Sequence, residues 1–364
     1  MHKMSQNGLF FLFICVFICL DCFAGSDSLG WLVSTELLKE AKLNIVWQNQ
    51  LPVGENETLD KLVLLDRRLY AISDKNYLVS LSKKAGDVIF SSSLTQTRLP
   101  VIGLDSYKGN VFSVIANRLV EINPEFGTET SSTAVSFNVS CPAVRNESFY
   151  YIGGVDRRVH VLGAKNKVQI FTVSARSDSI ITSIAADETK AVFATDKGNV
   201  ISIRSDAPKK LWQFDAAGAI AGKIIKDANS LFFASRDTNV YRINWQTGKF
   251  EWKYQTSAIL DRNPVVTAKF VYQYVDGTGL VALDKDTGKF MWRLANGNDL
   301  LADSEDKAYV ITTDGTLVVM DSAKGRELYS VNLAGVSKYA ANTKDSRIFI
   351  ANDKGKIACL QPVD

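Results

Sequence analysis

Few side chains in this sequence could do covalent chemistry. The 364 residues include two histidines, His2 and His160, and five cysteines, Cys15, Cys19, Cys22, Cys141 and Cys359. A Ser-His-Asp or Cys-His system needs an imidazole beside its nucleophile, a zinc site of this kind needs several histidines, and an attached haem needs Cys-x-x-Cys-His. His2 and three of the cysteines fall in an N-terminal leader, which leaves His160, Cys141 and Cys359 for the rest of the chain. His160 sits in "RRVHVLG", an alternating strand, where an imidazole is expected to be structural or merely exposed.

The leader has its own pattern. His2 and Lys3 precede "LFFLFICVFICL", followed by "DCFAGS", with Cys22 and Ala24 at the −3 and −1 positions of a cleavage site. Residues 1–24 therefore read as a secretory signal peptide cut after Ala24, so the mature chain is expected to be exported. The apolar run falls short of the roughly 20 residues that span a bilayer. Lipidation at Cys22 is the rival reading, but Cys19, Leu20 and Asp21 meet its signal poorly.

Composition narrows the partners. The chain is 46% hydrophobic and 22% charged, with a formal net charge of +3. With no run of five or more like charges, it offers no electrostatic footprint for nucleic acid or for an anionic membrane surface.

The elements that would hold any site come from a repeat. "LVALDKDTGKFMW" (280–292) recurs as "VYRINWQTGKFEW" (240–252), "LVVMDSAKGRELY" (317–329), "VISIRSDAPKKLW" (200–212) and "LVSLSKKAGDVIF" (78–90). Each is preceded by another strand, and these begin at Leu69, Val111, Phe149, Ala191, Leu231, Phe270, Ala308 and Arg347. The intervals of 38 to 42 residues match one four-stranded propeller blade. Gly248, Gly288 and Gly325 suit the left-handed position of the hairpin, and Trp212, Trp252 and Trp292 suit blade-to-blade seams.

The eighth unit lacks its last strand, and "NIVWQNQLP" supplies a surplus one with Trp47 in the seam position. The expected fold is therefore all-β: an eight-bladed β-propeller of four-stranded antiparallel blades over residues 43–364. Its last blade is closed by the N-terminal strand at 44–51, which removes an open sheet edge. A segment at 25–42 carries a short helix, "STELLKEAK", capped by Ser34 or Thr35 with Glu36 in its first turn.

Loops between blades gather at one mouth of such a ring. They would bring Arg98, Arg176, Asp178, Asp261, Arg262, Asp299 and Lys338 to one face, as solvated charge or as a mixed-charge contact surface. "GGVDRRVH" in the third unit is a weaker candidate, since its glycine pair suits a bulge or tight bend. Cys141 and Cys359 lie in blades far apart around the ring, so a disulfide between them is not expected. Asn56, Asn138 and Asn146 begin glycosylation sequons that matter only in a eukaryotic secretory pathway.

The string Ala282, Asp284, Thr287, Gly288, Trp292 resembles the repeat of the PQQ-like propellers, the group holding quinoprotein dehydrogenases and the BamB scaffolds of outer-membrane protein assembly. The dehydrogenase branch would imply a quinone on the axis between a tryptophan and a vicinal disulfide, with calcium and an aspartate base. This chain has no adjacent cysteines. The likeness to the BamB branch implies a monomeric, non-enzymatic envelope scaffold, in the periplasm or at the outer-membrane periphery, with no cofactor or metal. Its partners would be envelope proteins, such as a membrane-embedded β-barrel or its assembly complex, and not nucleic acid. A ligand-sensing propeller and a quinone-dependent or sugar enzyme stay open as other classes.

Overall fold

A computed structural model describes residues 30, 32–95, 99–175, 178–304 and 306–363. The chain divides into two units, Met1–Gly30 and Trp31–Asp364. The expected leader and its cleavage site lie outside the described residues, as do Trp31, Arg98 and Arg176.

The second unit is built from eight four-stranded antiparallel sheets, each a consecutive meander except the last. Blade 1 comprises Leu59–Leu65, Arg68–Ser73, Tyr77–Ser82 and Val88–Ser93, from the innermost strand outward. Blades 2 to 7 follow over 101–134, 144–174, 181–215, 225–255, 265–294 and 297–332. Blade 8 takes Lys338–Ala340, Ile348–Ala351 and Lys356–Pro362 from the C-terminus, and its outermost strand, Leu43–Gln50, from the N-terminus. The closing strand thus begins one residue before the expected boundary and pairs from Leu43 opposite Pro362 to Gln50 opposite Lys356. Helix Thr35–Glu40 precedes it, with Ser34 as the cap that accepts a bond from Leu37 N at 3.2 Å. Leu38 buries against the core shared by blades 7 and 8.

Burial explains why the strands read as they do. The middle strands of a blade lie between two neighbouring blades, so Lys190–Thr195 and Ser230–Ala234 are buried at every position. An outermost strand such as Phe250–Gln255 touches the next blade mainly through its indole and alternates with solvent. Four tryptophans share this seam role. Each donates its indole N–H to the outer turn of the next blade: Trp47 to Lys83 O (3.2 Å), Trp212 to Trp245 O (3.2 Å), Trp252 to Lys285 O (3.0 Å) and Trp292 to Ser322 O (2.7 Å).

The turn of the opening repeat is held by its own side chains. Asp284 Oδ1 accepts from Thr287 N at 2.8 Å and from Thr287 Oγ1 at 2.7 Å, and Gly288 then turns with φ +68°. That value lies in the left-handed region where glycine carries no steric penalty.

Cys141 and Cys359 are buried and unpaired in blades 3 and 8. Asn146 is also buried, its amide donating to Tyr151 Oη (3.1 Å) and Asp187 O (2.9 Å), so this sequon is closed to modification in the folded chain.

Candidate functional site: the mouth formed by the inter-blade loops

In an antiparallel meander, the inter-blade loops and the middle hairpins emerge at one end of the blades, and the inner and outer hairpins at the other. One polar group on the loop end spans blades 6, 7 and 8. Arg262 lies just before the inner strand of blade 6, its guanidinium over the Tyr274 ring at 4.2 Å. Its Nη1 donates to Asn298 Oδ1 at 3.0 Å, and Asn298 Nδ2 donates to Tyr339 Oη at 3.1 Å. The backbone is pinned as well: Gln273 Nε2 donates to Arg262 O at 3.1 Å. From blade 5, Gly222 presses against this loop so closely that a Cβ would come within 2.4 Å of Asn263 N, which accounts for the glycine in "AAGAIAG".

Asp299 completes the group. Burial pushes its carboxyl above the ordinary range, opposed by a bond from Leu300 N (2.8 Å), by Arg262 and by Tyr339. Burial likewise pushes the Tyr339 phenol up to about 12, with Asp299 adding to the rise. The result is a guanidinium stacked on an aromatic ring, a carboxyl, a phenol and an amide, drawn from three blades. Such a set can present donors and acceptors to a polypeptide.

Two of the expected positions need correction. Asp299 and Lys338 were read as loop residues, but they lie in the innermost strands Gly297–Asp303 and Lys338–Ala340. "NGND" has turn composition, yet Asp299 pairs with Ile311 across the sheet, so tertiary pairing overrides local propensity.

The remaining expected charges among the described residues make separate local pairs. Asp261 meets Arg236 at 2.5 Å, Asp178 meets Arg157 at 2.9 Å and Lys338 meets Asp353 at 3.6 Å. Among the described positions, Arg262 and Asp299 are therefore the two that the fold joins in one group. Tyr274, Asn298 and Tyr339 were missed because no repeat position marks them and their spacing in sequence carries no pattern.

An axial cleft of about 260 Å³ lies between the inner strands of the first blades, lined chiefly by Val63, Leu104, Ala143, Ile184 and Ile224, with Asp105, Ser183 and Lys223 as polar members. Burial raises the Asp105 carboxyl, while Ser106 N–H and Lys223 oppose the rise. The axis is a poor fit for a quinone sandwich: the described inner strands carry no tryptophan and the sequence has no vicinal cysteines. Among the described residues, no three His, Cys, Asp or Glu side chains gather as metal ligands.

Elsewhere, polar groups tie blades together. Glu121 of blade 2 accepts from Tyr150 Oη (2.5 Å) and meets Lys167 (3.0 Å) and Arg145 (3.3 Å) of blade 3. Burial would raise this carboxyl, but those three partners together hold it below the ordinary range. His160 stacks on Phe137 at 3.5 Å and is flanked by Asp156 (3.0 Å) and Gln169 (3.1 Å). Gly154 leaves room for this contact, since a Cβ there would come within 3.2 Å of His160 Nε2 and nearer still to Asp156.

Residues 139–260 and 255–364 match the family described as "Outer membrane protein assembly factor BamB". Among solved structures, BamB from Moraxella catarrhalis superposes with a TM-score of 0.68 at 12% identity, over 88% of this chain and 97% of that one. The computationally designed protein Ika8 superposes with a TM-score of 0.66 at 14% identity, over 85% and 98% of the two chains. At these identities the likeness to both structures is one of fold. No curated protein matches the sequence.

Proposed function

Because the chain belongs to the family of the outer membrane protein assembly factor BamB, we propose that it is a non-enzymatic protein-interaction scaffold of the cell envelope. Its contact surface is the loop mouth around Arg262. The observation that carries this reading is how the reactive side chains are used. His160 is locked between Phe137, Asp156 and Gln169. Burial pushes both described cysteines up to about 12, which leaves almost no thiolate at neutral pH. The polar groups left open to a partner stand instead at the loop end of the ring, on the Arg262 loop and on the strand ends beside it, where a rigid scaffold can present them.

The finer reading is that the chain is exported through its leader and meets proteins of outer-membrane assembly at this mouth. Charge reversal at Asp261 and Arg262 tests it: the doubly reversed chain is expected to lose an envelope protein that the unaltered chain retains in a pull-down. Retention of every partner by the reversed chain would contradict the proposal.

A further inference from the structure

The opposite face carries a feature that the fold does not use. The outer turns of blades 3 to 7, at 163–170, 204–211, 244–251, 284–291 and 321–328, hold ten basic side chains against six acidic ones. Most of the acids are occupied. Glu251 and Asp286 meet Arg242 at 2.6 and 3.0 Å, and Asp206 meets Arg204 at 2.7 Å. Asp284 and Asp321 accept bonds from their own turns, from Thr287 N (2.8 Å) and Lys324 N (2.9 Å). Lys165, Lys209, Lys249, Lys289, Lys324 and Arg326 are exposed, and among the described residues none has a carboxylate within ion-pair distance.

Exposed apolar side chains stand beside these cations. Phe250 follows Lys249 and Phe290 follows Lys289 at the same position of the repeat, 53% and 48% exposed; Leu211 and Ile170 lie close to it in blades 4 and 3, 43% and 49% exposed. The seam bonds of Trp212, Trp252 and Trp292 each reach the next outer turn, so the turns of blades 5, 6 and 7 follow one another along a single rim.

Ammonium groups interleaved with aromatic and aliphatic tips fit a lipid interface, where cations meet phosphodiesters and apolar tips enter the headgroup boundary. Five of these six cations are lysines. A lysine is a mobile point charge that a fluid layer of phosphates can satisfy, whereas fixed carboxylates on a protein favour the arginine fork. We propose that this rim docks on an anionic phospholipid bilayer and turns the loop mouth away from it. The envelope reading enters only in saying where such a bilayer is met, and vesicle binding by the purified chain is read without it.

The test is co-sedimentation of the full chain with vesicles of phosphatidylcholine alone, or of phosphatidylcholine with about one-third phosphatidylglycerol, a clearly anionic surface. Residues 9–20 are apolar and would bind both vesicles alike, so the readout is the difference between them. Binding is expected to favour the anionic vesicles and to weaken with salt. K249A/K289A should lower the anionic preference roughly ten-fold or more, from the loss of two surface cations. F250S/F290S should weaken binding while leaving the salt dependence in place. All four side chains are exposed, so unchanged unfolding midpoints confirm folding. Equal partition into both vesicles, or unaltered preference in K249A/K289A, would overturn the proposal. So would a rim that ignores vesicles but loses a crosslinked acidic protein on K249A/K289A substitution.

Discussion

Trp252 lies against Gly288 of the following blade: its Nε1 donates to Lys285 O at 3.0 Å, and a Cβ on Gly288 would fall 2.5 Å from the indole Cδ2. The same contact recurs between Trp212 and Gly248 and between Trp47 and Gly86, so turn glycine and seam indole form one repeated joint.

A pair of glycines separates the two parts of that joint. Gly277 and Gly288 have nearly the same φ, +67° and +68°, but a Cβ on Gly277 meets nothing within 4 Å. G277A should cost about 1 kcal/mol for its backbone alone. G288A should cost about 2–4 kcal/mol, because the indole must also move. Urea unfolding of both variants checks this, and equal losses would remove the seam from the explanation.

Ring closure depends on the strand around Trp47. Trp47→Ala removes an 8%-exposed indole and its bond to Lys83 O, and is expected to cost about 3–5 kcal/mol. A chain starting at residue 52 loses the whole strand and leaves the edge of Lys356–Pro362 unpaired. It should aggregate, while a chain starting at residue 31 should not. Light scattering distinguishes the two.

Two carboxyls should push stability in opposite directions with pH. Glu121 is held below its ordinary value in the folded chain, so it contributes stability above the unfolded value of about 4.3, lost as pH falls through the lower folded value. Asp299 is raised by burial, so its ionisation opposes folding, increasingly as pH climbs from the unfolded value of about 3.9 to the higher folded one. E121Q should therefore lower stability at pH 7 and flatten the acid limb, whereas D299N should raise stability at pH 7. Unfolding midpoints between pH 3 and 8 read both signs. A destabilised D299N would mean that its bond from Leu300 N outweighs its burial.

The two described cysteines should be silent in the native state. With both thiols buried and pushed up to about 12, a thiol reagent at pH 8 should label neither before unfolding. A chain starting at residue 31 should then release two thiols in denaturant. Fewer than two would reveal a disulfide.

Fold and site differ in how much of each the sequence exposes. The blade count, the N-terminal closure and the Ser34 cap are legible because each rests on local chemistry: a turn glycine, a seam indole or a capping hydroxyl, repeated about every forty residues. The Arg262 group is not, because its members come from positions 262, 274, 298 and 339 and meet only when three blades close around the axis. The lysine rim is hidden for a related reason. Its cations are spread one blade apart, so no charge run and no large net charge announces them.

The central claim is that the loop mouth is a protein contact surface, and the direct measurement is site-specific photocrosslinking in the native envelope followed by mass spectrometry. Ile259, 55% exposed in the loop before Arg262, places a probe at the mouth, and Phe126, 71% exposed in an outer turn, places one on the opposite face. A discrete envelope-protein adduct from position 259, absent from position 126 and lost on Arg262→Glu, is the predicted result. No adduct from position 259, or the same adducts from both positions, would contradict it.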